Sequence, residues 1–183
     1  MDQPSAWVAR FAPLIPDGEV LDLACGSGRH ARLLTALGHP VLAVDRDGAA
    51  LKRAAGPAIA TLEFDLESDA TWAFEANRFA GIVVTNYLHR PLFSHIFRSL
   101  APDGVLIYET FAQGNEHFGK PSNPLFLLDR GELLDIVSTH MEDRLHVLAF
   151  EDGYVDIPKP AMTQRICIVK RGPAFAPERL QLF

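Results

Sequence analysis

Residues 21–30 read LDLACGSGRH, and how this stretch is read decides the fold of the whole chain. An apolar run carries one acid, Asp22, and then breaks at Gly26 and Gly28, just before helix-forming residues. A carboxyl inside a buried strand is costly unless something pairs with it. Two glycines one residue apart mark a tight turn, or backbone that must come close to a ligand. The stretch therefore reads as a strand that delivers a ligand-binding loop to the start of a helix.

Working outward, strand and helix signals alternate. The turn Pro16-Asp17-Gly18 precedes a buried strand over Val20–Ala24, and Arg29–Leu37 is an expected helix closed by Gly38. Val41–Asp45 reads as a strand, Ala49–Ala55 as a helix, Ala58–Phe64 as a third strand and Thr71–Asn77 as a helix. Gly81–Thr85 (GIVVT) is a continuous apolar strand; a helix over Leu92–Leu100 follows, then the turn Pro102-Asp103-Gly104 and the strand Val105–Thr110. Continuous apolar strands separated by helices indicate a parallel sheet covered on both faces. After Thr110 comes a long segment rich in Gly, Asn and Pro, of a length that is usually functional or disordered. A helix over Arg130–Thr139 and two strand-like runs, about 144–151 and 162–170, close the chain. The turn-rich DGYVDIPKP joins those two runs and makes an antiparallel pair the expectation.

The 183 residues suit one domain spanning 1–183, with 48% hydrophobic and 22% charged residues and a formal net charge of −6. No run of basic residues marks an electrostatic footprint for duplex DNA. No apolar stretch reaches the roughly 18 residues of a membrane span, and the start lacks the features of a signal peptide. Cys25 and Cys167 are too few and too far apart for a disulfide framework or a zinc site. The expectation is a cytoplasmic protein, monomeric or weakly homodimeric, with no metal.

The loop 26–31, GSGRHA, also satisfies the dinucleotide pattern G-x-G-x-x-G/A, with Asp45 ending the next strand. Three features favour another cofactor. A dinucleotide loop seats a pyrophosphate on a helix N-terminus, and Asp22 in the approaching strand would oppose that charge. No further substrate domain is evident. Asp65, in EFDLES, offers an acceptor where an adenine amino group could lie. LDLACGSGRHARLLTALGHPVLAVDRD resembles the first two motifs of the class I S-adenosylmethionine-dependent methyltransferases, in particular the compact small-molecule or tellurite-resistance-like members. The resemblance extends over about residues 18–110. It implies an α/β fold: a Rossmann-like three-layer sandwich with a mostly parallel seven-stranded sheet whose last strand is antiparallel.

What the resemblance implies for the site follows residue by residue. Ala24, Gly26 and Gly28 pack against the methionine part of S-adenosylmethionine, and Asp22 lies near its amino group. Asp45 accepts from both ribose hydroxyls and Arg46 flanks the adenine. Asp65 accepts from the adenine amino group, Leu66 donates a backbone N–H to a ring nitrogen, and Asn86 reaches the methionine end. Bland readings stand beside these. Asp45 could cap the next helix, although Asp47 fits that role better, and Asp65 could be a turn acid. Cys25, His30 and Cys167 read as packing residues.

Transfer from an already activated sulfonium asks the protein for positioning and water exclusion, and for a base only if the acceptor carries a proton when it attacks. Polar groups expected at the carboxyl edge of the sheet are Tyr87, His89, Tyr108, Glu109, Asn115 and His117, with Tyr87, His89 and His117 the candidate catalytic residues. The segment 111–124 is a candidate acceptor lid through Asn115, Glu116 and His117. NYLH departs from the [DN]PP[YFW] motif of the amino-methylating nucleic-acid enzymes, so a small-molecule acceptor (a thiol, chalcogen oxyanion or carboxylate) is the expectation, with S-adenosylhomocysteine as product. An RNA or tRNA methyltransferase, a non-catalytic cofactor-binding module and an NAD(P)-dependent oxidoreductase are the alternatives.

Overall fold

The computed structural model describes residues 3–68, 72–140, 144–173 and 175–176. Its seven strands are β1 (Val20–Leu23), β2 (Val41–Asp45), β3 (Ile59–Glu63), β4 (Phe79–Thr85), β5 (Leu100–Phe111), β6 (Leu145–Val155) and β7 (Ala161–Lys170). They form one sheet in the order β3-β2-β1-β4-β5-β7-β6. All pairs are parallel except those made by β7, which runs antiparallel to both β5 and β6. This is the expected Rossmann-like fold, with the antiparallel strand inserted before the edge.

Side chains of a strand alternate between faces, and here the alternation splits the core in two. Val20, Val41, Ala43, Val83, Val105 and Ile107 pack under α1 (Ala6–Phe11), α2 (Arg29–Ala36) and α3 (Gly48–Ala54). Leu21, Leu23, Val44, Ile82, Val84 and Leu106 pack under α4 (Phe93–Ser99) and α5 (Glu132–Thr139). Apart from the partly exposed Asp45, β1, β2 and β4 are buried along their whole lengths, as strands covered on both faces must be. The chain leaves β1 toward β2 and β3, then returns to pair β4 on β1's other side. That reversal creates a switch point beyond the carboxyl ends of β1 and β4, where open α/β sheets bind ligands.

Three expectations need correction. Residues 72–77 form no helix, and Thr71 lies outside the described residues. The Trp72 indole N–H instead donates to Ser99 Oγ at 2.8 Å, and Phe74 sits edge-on to Trp72 and Phe79. Docking two aromatic rings two residues apart outweighs a weak local preference for helix. The turn-rich DGYV belongs to β6, paired through Val155 with Ala161, so the connection shrinks to 156–160. Pro102-Asp103-Gly104 lies within β5 as a break in pairing: Phe79 pairs with Leu100, but Gly81 pairs with Val105.

The long segment after β5 is pinned rather than loose. The Ala112 N–H donates to the Met162 carbonyl, and the Gln113 N–H to the Leu128 carbonyl. Single 3-10 turns occupy Asn115–His117 and Pro124–Phe126.

Candidate active site

Gly28 adopts a left-handed conformation (φ 79°) as the residue before α2, and it has no side chain to cap the helix. The first backbone N–H groups of a helix lack partners unless a nearby acceptor supplies one. Asp22 does so from β1: its Oδ2 accepts the Ala31 N–H at 2.9 Å. The acid in the apolar strand is therefore a cap delivered from outside the helix. It is only 2% exposed, and burial pushes its pKa up to about 7, opposed by the Ala31 N–H and the charges of Arg29 and Arg32. A carboxyl there takes one N–H, that of Ala31, of the helix terminus on which a pyrophosphate would sit.

A pH dependence follows. The unfolded carboxyl titrates near 3.8 and the folded one near 7, so the folded protein holds this proton more tightly. Stability from this source is complete below about pH 4 and is lost as pH rises toward 7, by at most about 1.4 kcal/mol per pH unit. Urea unfolding of wild type and Asp22→Asn should diverge across that window, with the variant relatively more stable at pH 7. Parallel curves would show that Asp22 is ionised throughout.

Beyond β1 the chain makes an unusual sequence of left-handed residues: Ala24 (φ 53°), Gly26 (φ 53°) and Gly28. Asn86, just past β4, is also left-handed (φ 55°). For a residue with a Cβ this costs roughly 1–2 kcal/mol, and such strain gathers at functional sites. Ala24 and Asn86 flank the switch point, and both line a cavity of about 270 Å³ with Asp45, Arg46, Asp65, Leu66 and Tyr87. Seven residues singled out from the sequence thus meet at one place. Phe64 and Glu67 complete the lining.

Asp45 closes β2 at the floor of this cavity. One carboxylate oxygen accepts the Gly26 N–H at 2.7 Å and the other the Asp47 N–H at 2.9 Å. The helix cap belongs to Asp47, whose Oδ1 accepts from Ala49 and Ala50. Each Asp45 oxygen keeps a second lone pair, so the carboxylate is oriented but not saturated. Asp65 is a turn acid, accepting the Glu67 N–H at 3.0 Å, and it also lines the cavity. The Tyr87 hydroxyl is buried, with the Glu67 side chain as its hydrogen-bonding neighbour. Burial, then the Glu67 charge, holds its pKa above the ordinary phenol value.

Other sequence candidates fall elsewhere. Asp22, Gly26, Gly28, His89 and His117 are not in the cavity wall. His89 is half-buried at the start of the 3-10 turn before α4, and His117 is exposed beside Glu116. Asn115 is buried: its side-chain N–H donates to the Pro121 carbonyl and its oxygen accepts the Met162 N–H. Tyr108 is buried and donates to the Tyr87 carbonyl at 2.7 Å, and Glu109 pairs with Arg165 at 2.8 Å. These three act as scaffold. His30 packs as expected: its Nε2 accepts the Ser5 N–H, so its Nδ1–H faces Thr85, and burial drops its pKa to about 3. Burial pushes the Cys25 and Cys167 thiols up to about 12, so neither is a nucleophile. Among the described residues no cluster fit to hold a metal occurs, and no helix is long and apolar enough to cross a membrane.

Sequence reading named the segment 111–124, which contains Phe111 and Pro121, but did not single out those two side chains, Phe126 or Glu67. Phe111, Pro121 and Phe126 line a second cavity of about 330 Å³, which shares Arg46, Glu67, Asn86 and Tyr87 with the first. No motif marks them, because only the folded segment brings them to Tyr87.

A seven-stranded sheet in this order, with its glycine loop and acids at the switch point, defines a class I S-adenosylmethionine-dependent methyltransferase. A family model described as a methyltransferase domain matches residues 2–135. The chain belongs to that methyltransferase-domain family. Among solved structures it resembles TehB from Haemophilus influenzae (19% identity, TM-score 0.68, covering 90% of this chain and 61% of that one). An S-adenosylmethionine-dependent methyltransferase from Mesorhizobium loti matches at 18% identity and TM-score 0.67, covering 89% and 96%. One from Methanosarcina mazei matches at 16% and 0.63, covering 84% and 92%. At these identities the likeness establishes the fold. No curated protein matches the chain.

Proposed function

We propose that the chain methylates a small molecule, with S-adenosylmethionine in the 270 Å³ cavity and the acceptor entering through the adjoining one. The observation that carries this reading is the sharing of one wall, Arg46, Glu67, Asn86 and Tyr87, by two cavities at the switch point. S-adenosylmethionine supplies a methyl carbon already activated by its sulfonium, and the residues present suit it. Asp45 has lone pairs for the ribose hydroxyls, Asp65 and Leu66 border the adenine, and Arg46 flanks it. Gly26 has no protein atom within 4 Å of where a Cβ would sit, which leaves space for the methionine moiety beside Ala24 and Asn86. A cavity of 330 Å³ lies at the small end of ligand pockets, which favours a small acceptor over a nucleic acid.

The test is S-adenosylhomocysteine release with thiols, chalcogen oxyanions, carboxylates, phenols and tRNA offered in turn. Turnover of one or more small molecules with tRNA silent is the expected result. Transfer to tRNA alone would overturn the small-molecule reading.

A further inference from the structure

The acceptor cavity has a composition that narrows what can fill it. Leu88, Phe111, Pro121 and Phe126 give it an apolar side, Tyr87, Asn86 and Thr110 stand beside them, and Arg46 and Glu67 are its two charged residues. An oxyanion entering this space would exchange its hydration for one arginine and the neutral donors of Asn86, Thr110 and Tyr87, and would face a carboxylate of its own sign. The like charge and the apolar side weigh against that exchange, because charged donors stabilise an anion most. The cationic Lys159 rests against Phe111, its Nζ 6.0 Å from the ring centroid, but it is not part of the wall.

The aromatic wall is built deliberately. Phe126 is 47% exposed, yet Arg90 fixes its short turn from both sides. The Arg90 guanidinium donates to the carbonyls of Leu125 and Leu127, at 2.9 Å each, and pairs with Glu132 at 2.6 Å. Behind the opposite wall, the Tyr108 hydroxyl holds the Tyr87 backbone. The Tyr87 hydroxyl is buried, and Glu67 is both the strongest charge acting on it and its side-chain hydrogen-bonding neighbour.

We infer that the acceptor is a neutral, flat, largely apolar molecule bearing an O–H, N–H or S–H nucleophile, docked on Phe111 and Phe126, whose proton Glu67 accepts. This rests on the cofactor reading above and names the acceptor class for the same site. The acceptor's lone pair forms the new bond to the methyl carbon. The carbon–sulfur bond breaks with its electrons left on sulfur, and the acceptor's proton passes to the Glu67 carboxylate. The Tyr87 hydroxyl gives the second hydrogen bond that orients the nucleophile or the Glu67 carboxylate. Arg46 and Asp65 are the other charged groups acting at Tyr87, and they have opposite signs.

The experiment is calorimetric titration of the protein saturated with S-adenosylhomocysteine, using 2-naphthol, 2-methoxynaphthalene and tellurite as probes. A charge-assisted hydrogen bond to Glu67 should make 2-naphthol bind at least tenfold more tightly than its methyl ether. Glu67→Gln should erase that preference and Glu67→Asp should keep part of it. Phe126→Ala should weaken both naphthalenes at least tenfold, with S-adenosylhomocysteine affinity within threefold of wild type. Leu125→Ala, at a neighbouring exposed position outside the wall, should leave both unchanged. Tellurite should neither bind nor displace 2-naphthol. The inference is overturned if no naphthalene binds, if both bind equally to wild type, if Phe126→Ala has no effect, or if tellurite displaces them. Failure to bind S-adenosylhomocysteine would register first and separately, as failure of the cofactor reading on which the inference stands.

Discussion

Asp45→Ala should bind S-adenosylmethionine and S-adenosylhomocysteine at least tenfold more weakly than wild type while remaining folded. Two contributions add. The first is loss of a carboxylate with open lone pairs at the cavity floor, where each charge-assisted hydrogen bond is worth roughly 1.5–3 kcal/mol. The second is loss of the clamp that ties the Gly26 N–H to β2 at 2.7 Å and the Asp47 N–H to the same side chain at 2.9 Å. Without it the glycine loop must be ordered by the ligand, which costs affinity. Asp45→Asn should be no gentler, because one side-chain N–H would then face a backbone N–H with no acceptor between them. Calorimetry that finds unchanged affinity in Asp45→Ala would remove Asp45 from the site.

The two loop glycines should fail in different ways. A Cβ on Gly28 would lie 2.6 Å from the Ala54 Cβ and 2.8 Å from its Cα, in a backbone conformation that side chains already disfavour. Gly28→Val therefore forces α2 and α3 apart and should lose about 2–5 kcal/mol of stability, the sum of overpacking and left-handed strain. That is a large share of the roughly 5–15 kcal/mol of a domain, so low yield or a much lower Tm is expected. Gly26→Val meets no protein atom. It should stay folded apart from the left-handed strain, and lose cofactor binding by 10²-fold or more. Thermal unfolding and calorimetry of the two variants separate the cases. A stable Gly28→Val, or a Gly26→Val that binds normally, would show that the two glycines have been assigned the wrong roles.

The sheet was legible because its signals are local. GIVVT is an apolar run, VLDL and VLAVD are apolar but for one aspartate each, and glycine and proline punctuate them where the chain turns. The wall of the first cavity was legible for a related reason: Ala24, Asp45 and Asn86 stand at the ends of those strands, where any parallel sheet collects its functional groups. Asp22 was half legible. Its cost in an apolar strand announced a partner, but that the partner is the Ala31 N–H depends on how α2 meets β1. The second cavity was legible as a segment, 111–124, but not in its side chains. Asn115 and Tyr108 look like ligands in sequence and are scaffold in space, whereas Phe126 and Glu67 look unremarkable and face the cavity. Composition cannot distinguish these, because long-range contacts set the direction of each side chain: Arg90 across to Leu125 and Leu127, and Tyr108 across to Tyr87. The aromatic pair Trp72 and Phe74 misled helix reading for the same reason.

The central claim, that the glycine loop and Asp45 hold a sulfonium cofactor rather than a dinucleotide, is tested most directly by titrating the wild-type protein in a calorimeter. S-adenosylmethionine, S-adenosylhomocysteine and NADH are injected in separate runs. The account expects one saturable site for each of the first two and no binding heat for NADH. Saturable binding of NADH, with both sulfur compounds silent, would contradict it.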